Sequence, residues 1–192
     1  MISINKSFKD ELIIKNSKFI TIIDSFYDDS NLDNILNEVK EKYPKATHYC
    51  YAYITEHKKK SSDDKEPSGT AGTPILNVLE KENMINIIAI VIRYFGGIKL
   101  GAGGLVRAYS KSVKDVLKIA ETIEVINGFQ VEITFPYNEQ KNIDYILKNR
   151  KILNKEYKEN IIYTALLNEK DLKKLNNYKI TVIKEILIQK EY

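Results

Sequence analysis

An eight-residue apolar run, INIIAIVI (Ile85–Ile92), leads into RYFGGIKLGAGGLVRAYS (Arg93–Ser110), where five of the chain's eight glycines fall between Gly96 and Gly104. The run is far shorter than the roughly 20 apolar residues needed to cross a bilayer and it contains Asn86, so it reads as a buried strand, Ile87 to Tyr94. After the glycines, Leu105, Ala108, Tyr109, Ser112, Val113 and Val116 keep helical spacing to about Ile119. The local order is therefore strand, glycine loop, helix.

Glycine serves where φ is positive or where another group must approach the backbone. Gly103 and Gly104 are expected directly before the helix, where unpaired N–H groups and the helix dipole favour an anion. Only three of the 30 cationic residues are arginine, and two of them, Arg93 and Arg107, flank this loop. With Lys99, they supply the donors for charge-assisted contacts, so Arg93, Gly96, Gly97, Lys99, Gly101, Gly103, Gly104 and Arg107 form a phosphate-binding or RNA-binding set. Neither of the two best-known phosphate loops matches. Val106 occupies the place of a dinucleotide fingerprint's third glycine, and no Gly-Lys-Ser/Thr follows. The bland alternative is a tight crossover whose glycines only let helix and strand pack closely.

Elsewhere the pattern is mixed. Strands Phe8–Ile14 and Lys18–Phe26 flank KNS as a hairpin, and a helix follows from Ser30 to Pro44. Thr47–Ile54 is a strand with His48, Cys50 and Ala52 on one face and Tyr49, Tyr51 and Tyr53 on the other, the tyrosine row being sheet surface or a base-stacking platform. His57–Thr73 lacks periodicity and reads as a long loop before a helix opened by Pro74. A strand from Glu121 ends at Asn127-Gly128, which sets a boundary between domains 1–128 and 129–192. The second domain reads β-α-β-β-α-β, the order of a ferredoxin-like unit.

Composition excludes several classes. Hydrophobic content of 43% beside 29% charge is that of a folded globular chain. The charge-interrupted N-terminus resembles no signal peptide, and a single cysteine excludes a disulfide scaffold, so a cytoplasmic, reducing location is expected. A net charge of +4 permits an anionic partner without requiring one.

Two further clusters hold reactive groups. His48 and Cys50 share a strand face, close enough for a thiolate–imidazole pair or half of a metal site, although a buried cysteine is most often a small hydrophobe. The loop DDKEPSGTAGTP brings together Asp63, Asp64, Glu66, Ser68, Gly69 and Thr70, without the alternating spacing of a calcium loop or a nucleophile elbow. His48, Cys50, Asp64 and Glu66 are the candidate catalytic residues; no metal and no cofactor is expected.

THYCYAY, DDKEPSGTAGTPIL and VIRYFGGIKLGAGGLVRAYS, in this order and spacing, closely resemble the signature of the IMPACT family in its bacterial YigZ and YvyE type. The resemblance implies an α+β protein whose N-terminal domain has the ribosomal-protein-type βαβ fold of elongation factor G domain IV. Its C-terminal domain would resemble the ferredoxin-like domain V of that factor. Eukaryotic relatives are regulators of translation, acting through an extra domain absent here. Carried over are His48 and Cys50, the Glu66–Thr70 loop, and the stretch from Arg93 to Arg107. Lys65 stands where the family's Asp-Asp-Gly-Glu-Pro has glycine, which argues against a tight positive-φ turn at that point. Some relatives were labelled proline dipeptidases, but this chain lacks the metal ligands such an enzyme needs.

The reading is a translation-associated regulator that binds RNA or ribosomal components through the glycine loop, without DNA sequence specificity and without a membrane; its oligomeric state is unassigned. Two alternatives stay open. One is a hydrolase or transferase acting on a small anionic substrate between the His48/Cys50 strand and the two loops, and the other is a protein-interaction adaptor.

Overall fold

The computed structural model describes residues 1–190. Contacts divide the chain into two compact units, Met1–Ile123 and the part from Glu124 onward. In the first unit a short strand β1 (Ile2–Ile4) bridges to Met84, and strands β2 (Phe8–Ile14) and β3 (Ser17–Ser25) form the expected hairpin. Helix α1 (Leu32–Lys42), strands β4 (His48–Ile54) and β5 (Lys59–Ser62), helix α2 (Gly72–Lys81), strand β6 (Ile87–Tyr94) and helix α3 (Ala102–Ile119) complete it.

The sheet order is β2-β3-β6-β4-β5, with every pairing antiparallel. Strand β6 lies centrally and is buried from Ile87 to Arg93, which is why its sequence is an unbroken apolar run. Alternation divides the side chains between two cores. Phe19, Ile23, Cys50, Ala52, Ala89 and Val91 pack with α2 and α3 residues, whereas Ile20, Tyr51, Tyr53, Ile88 and Ile90 pack with Leu32 and Val39 of α1. The Tyr49–Tyr51–Tyr53 row is therefore no stacking platform, because Tyr51 and Tyr53 lie buried beneath α1.

The segment expected to be a featureless loop contains β5, paired to β4 at the sheet edge. Its sequence, KKSS, is polar because an edge strand can face water. Among the described residues no helix is long and apolar enough to cross a membrane.

The second unit follows the predicted order. Strand β7 (Thr122–Phe135) leads through a 3-10 turn into α4 (Gln140–Ile146), then β8 (Ile152–Tyr157), β9 (Ile161–Leu167), α5 (Glu169–Lys174) and β10 (Lys179–Gln189). The antiparallel order β10-β7-β9-β8 is that of a ferredoxin-like sheet. Asn127-Gly128 does not end a strand: β7 runs straight through it. Gly128 is needed for packing, since a Cβ there would lie 2.6 Å from Ile188 Cδ1 and 2.9 Å from the Leu167 carbonyl oxygen.

Candidate functional site

Strand register builds one row of the site. His48 pairs with Arg93, and Arg93 pairs with Phe19, so these side chains lie across β4, β6 and β3 on the face covered by α2 and α3. The loop between β5 and α2 then brings in Glu66, and α3 brings in Tyr109, which meets the Phe19 ring edge-on at 5.3 Å.

Arg93 is not a surface phosphate contact. Its residue is 5% exposed, its Nη1 donates to Glu66 Oε1, and its Nη2 lies 3.4 Å from Ser17 Oγ. The Nε group has no partner among the described residues. The guanidinium lies over the rings of Phe19 and Phe95, at 5.4 and 5.6 Å. Lysine could not make this planar fork, which accounts for arginine in a chain that otherwise favours lysine.

Glu66 is the hub. Tyr109 Oη donates to Glu66 Oε1 at 2.8 Å, and burial pushes the Tyr109 phenol up, so it stays a proton donor. Glu66 Oε2 faces His48 Nε2 at 3.8 Å, too far for a hydrogen bond. On the other side of the imidazole, Nδ1 donates to the Asp64 carbonyl at 2.8 Å, which puts the ring proton on Nδ1.

Cys50 lies beside His48 on the strand face but is fully buried. Its thiol donates to the Asp63 carbonyl at 3.0 Å and lies 3.4 Å from Tyr109 Oη. Burial, with the carboxylates of Glu66, Asp64 and Asp63, pushes the thiol up to about 12 against the Tyr109 hydrogen bond. The group is a neutral thiol at neutral pH, so a thiolate–imidazole pair does not form.

The acidic loop is organised by its own backbone. Asp63 accepts from the N–H groups of Gly69, Ala71 and Gly72 at 2.8 to 2.9 Å, pinning the start of α2. Burial opposes its charge, but the three donors outweigh burial and hold the carboxyl below its ordinary value. Asp64 Oδ2 accepts the Tyr49 N–H at 2.6 Å, and Thr70 Oγ1 donates to the Pro67 carbonyl at 2.6 Å. Ser68 and Gly69 are exposed. The expectation against a positive-φ turn at Lys65 is overturned: Asp64 and Lys65 have φ of 38° and 67°. The carbonyl of Asp64 and the carboxyl of Glu66 fix the chain on both sides of Lys65, and lysine is held in a conformation that glycine adopts more easily. Among the described residues no group of three or more metal-ligating side chains occurs.

In the glycine loop, the bare positions differ in what they need. A Cβ at Gly96 would lie 2.0 Å from the Asn16 carbonyl carbon, and Gly97 and Gly101 have φ of 83° and 71°. Gly103 and Gly104 are not before the helix but inside its first turn. At Gly103 an added Cβ would meet only Arg107 Nη1, at 3.6 Å, so neither conformation nor packing requires glycine there. Lys99 and Arg107 are exposed, and among the described residues neither makes an ion pair.

The two loops meet. A cavity of about 400 Å³ is lined by Thr47, His48, Glu66, Pro67, Arg93 and Phe95, and by the stretch from Lys99 to Ala102 with Leu105. The sequence pointed to His48, Glu66, Arg93, Lys99 and Gly101. Pro67, Phe95 and Leu100 lie in the stretches that the family resemblance carries over, without being singled out there, and helical spacing marks Tyr109 only as a core position. The signal for Phe95 was available, since a phenylalanine between a strand end and Gly96-Gly97 has no core face to join.

This arrangement defines an α+β protein of two units with a cleft between an acidic loop and a glycine-rich helix start. Residues 15–117 match the family described as the Impact N-terminal domain. The IMPACT family member YvyE of Bacillus subtilis (strain 168) is 36% identical over 174 residues, covering 88% of this chain and 80% of that protein. The IMPACT family member YigZ of Escherichia coli (strain K12) is 32% identical over 161 residues, covering 80% and 79%. The protein belongs to the IMPACT family. A solved crystal structure of a hypothetical protein superposes with a TM-score of 0.67 at 27% identity, covering 95% of this chain and 97% of that one. The two-domain translational regulator Yih1 matches at a TM-score of 0.35 and 20% identity, too distant to carry an argument.

Proposed function

We propose that the protein is a translation-associated regulator that contacts RNA or ribosomal components through the exposed rim of the glycine loop. The observation that carries this reading is the pair of unpaired exposed cations, Lys99 and Arg107, beside the first turn of α3 and the exposed Phe95 and Ile98. Cations of this kind hold phosphates, the free N–H groups of the first turn add to them, and an exposed aromatic ring offers a base a stacking surface. Arg93 plays a different part, holding Glu66 in place beneath the rim. Family membership supports the link to translation, through the resemblance to eukaryotic regulators.

The test is co-sedimentation of the protein with ribosomal subunits and with bulk RNA at two salt concentrations, beside a Lys99→Ala, Arg107→Ala variant. Binding should fall with salt, and losing two phosphate contacts should lower the salt slope by about two. Wild-type binding by a folded variant would make the rim irrelevant.

A second reading, proton transfer on a small anionic substrate, is favoured by one observation: His48 Nε2 faces the cavity opposite Glu66. It predicts that some phosphorylated or carboxylated compound raises the melting temperature of the wild type but not of His48→Asn. A broad compound set without any such shift would count against it.

A further inference from the structure

The unclaimed chemistry of the cleft is its acceptor pair. Glu66 has a side chain only 3% exposed, and both hydrogen-bond donors that reach it, Arg93 and Tyr109, use Oε1. No described residue donates a hydrogen bond to Oε2. Opposite it, at 3.8 Å, is His48 Nε2, which carries a lone pair in the neutral ring, whose one proton lies on the Nδ1 that donates to the Asp64 carbonyl. With the ring neutral, two acceptors face each other in the wall of the cavity. A group carrying two hydrogens satisfies both: water does so in the free protein, and a neutral amino group of a ligand can take its place.

The rest of the cleft constrains what bears that amino group. Phe95, 45% exposed, with Pro67, Leu100 and Leu105, gives mostly apolar walls suited to a flat body. Exposed Lys99 and the first turn of α3, bare at Gly103, suit a phosphate at the rim. A flat ring with an amino group at one end and a phosphate at the other is a nucleotide with an exocyclic amine.

We propose that this cleft reads one unstacked, amino-bearing base of the bound RNA: the exocyclic amine donates to Glu66 Oε2 and His48 Nε2, the ring stacks on Phe95, and its phosphate meets Lys99. This rests on the reading of the rim as an RNA-contacting surface and adds base preference to it. Cytosine and uracil separate the two ideas, because they differ at position 4 by an amine against a carbonyl. A carbonyl there would face two acceptors and leave all three groups unsatisfied.

The experiment is fluorescence anisotropy with labelled oligo(C) and oligo(U) of equal length, at one salt concentration, using the full chain. Oligo(C) should bind about tenfold tighter, the scale of one well-placed base contact. Lys99→Ala with Arg107→Ala should weaken both ligands equally and keep the ratio. Phe95→Ala, a change at a half-exposed side chain, should weaken both and reduce the ratio. Glu66→Gln presents an amide donor to the cavity and should abolish or invert the ratio; should that variant not fold, the wild-type ratio still decides. Tight but equal binding of both oligomers would overturn base reading and leave the rim contact standing. Failure to bind either oligomer would overturn both. Binding of free cytidine monophosphate with no binding of oligo(C) would also overturn the proposal, assigning the cleft to a small nucleotide.

Discussion

Each unit holds a buried carboxylate against an arginine, yet the two pairs are finished differently. In the second unit Asp171 is gripped by Arg150 through Nε to Oδ2 at 2.7 Å and Nη2 to Oδ1 at 3.0 Å, and Oδ2 also accepts the Asn168 N–H in a capping box. Both oxygens are occupied. In the first unit Arg93 and Tyr109 converge on one oxygen of Glu66, and the other is left facing His48 across 3.8 Å. The closed pair anchors the start of α5. The open pair keeps an acceptor in a cavity wall, which is where the proposed base contact would form.

Cutting each pair tests this contrast most strongly. Arg93→Ala leaves a 3%-exposed carboxylate without its cation and should cost about 3–5 kcal/mol, read as a large fall in the denaturation midpoint. Arg150→Ala should cost less, about 1–3 kcal/mol, because the Arg150 side chain is already 24% exposed and water can reach its place. Equal costs would mean that burial does not distinguish the two pairs.

A smaller effect sharpens the functional side. Gly103→Ala fills a helical position where a Cβ meets only Arg107 Nη1, so it should stabilise the protein by about 0.5–1 kcal/mol. If the bare backbone is there for a phosphate to approach, the same variant should bind RNA more weakly. A gain in stability with unchanged RNA affinity would make Gly103 a neutral choice.

The sequence revealed the elements that carry their own pattern. The unbroken apolar β6, the alternation of β4 and the helical spacing of α3 each depend on neighbours in the chain, and their faces followed directly. What escaped it depends on partners far away. Nothing near Arg93 indicates that Glu66, 27 residues earlier, takes its charge. Gly128 looked like a turn because Asn-Gly is a strong local turn signal, and only Ile188 and Leu167 explain why it lies within a strand. Strand β5 carries no apolar face to announce it, and Lys65 shows that a fixed surrounding can hold a positive φ without glycine. His48, Glu66 and Arg93 were legible as motifs, but the open oxygen on which the proposed site rests was not.

The most direct test of the open pair uses the fact that the chain has only two histidines, His48 and His57. His48 lies in the cleft, whereas His57 is exposed in the turn at the other end of β4. With nitrogen-labelled imidazoles, the free protein should show a protonated Nδ1 and a lone-pair Nε2 at His48. Titration with oligo(C) should shift the His48 Nε2 signal towards that of a hydrogen-bonded acceptor while His57 stays unchanged. A His48 ring that does not respond at saturating RNA would contradict the account.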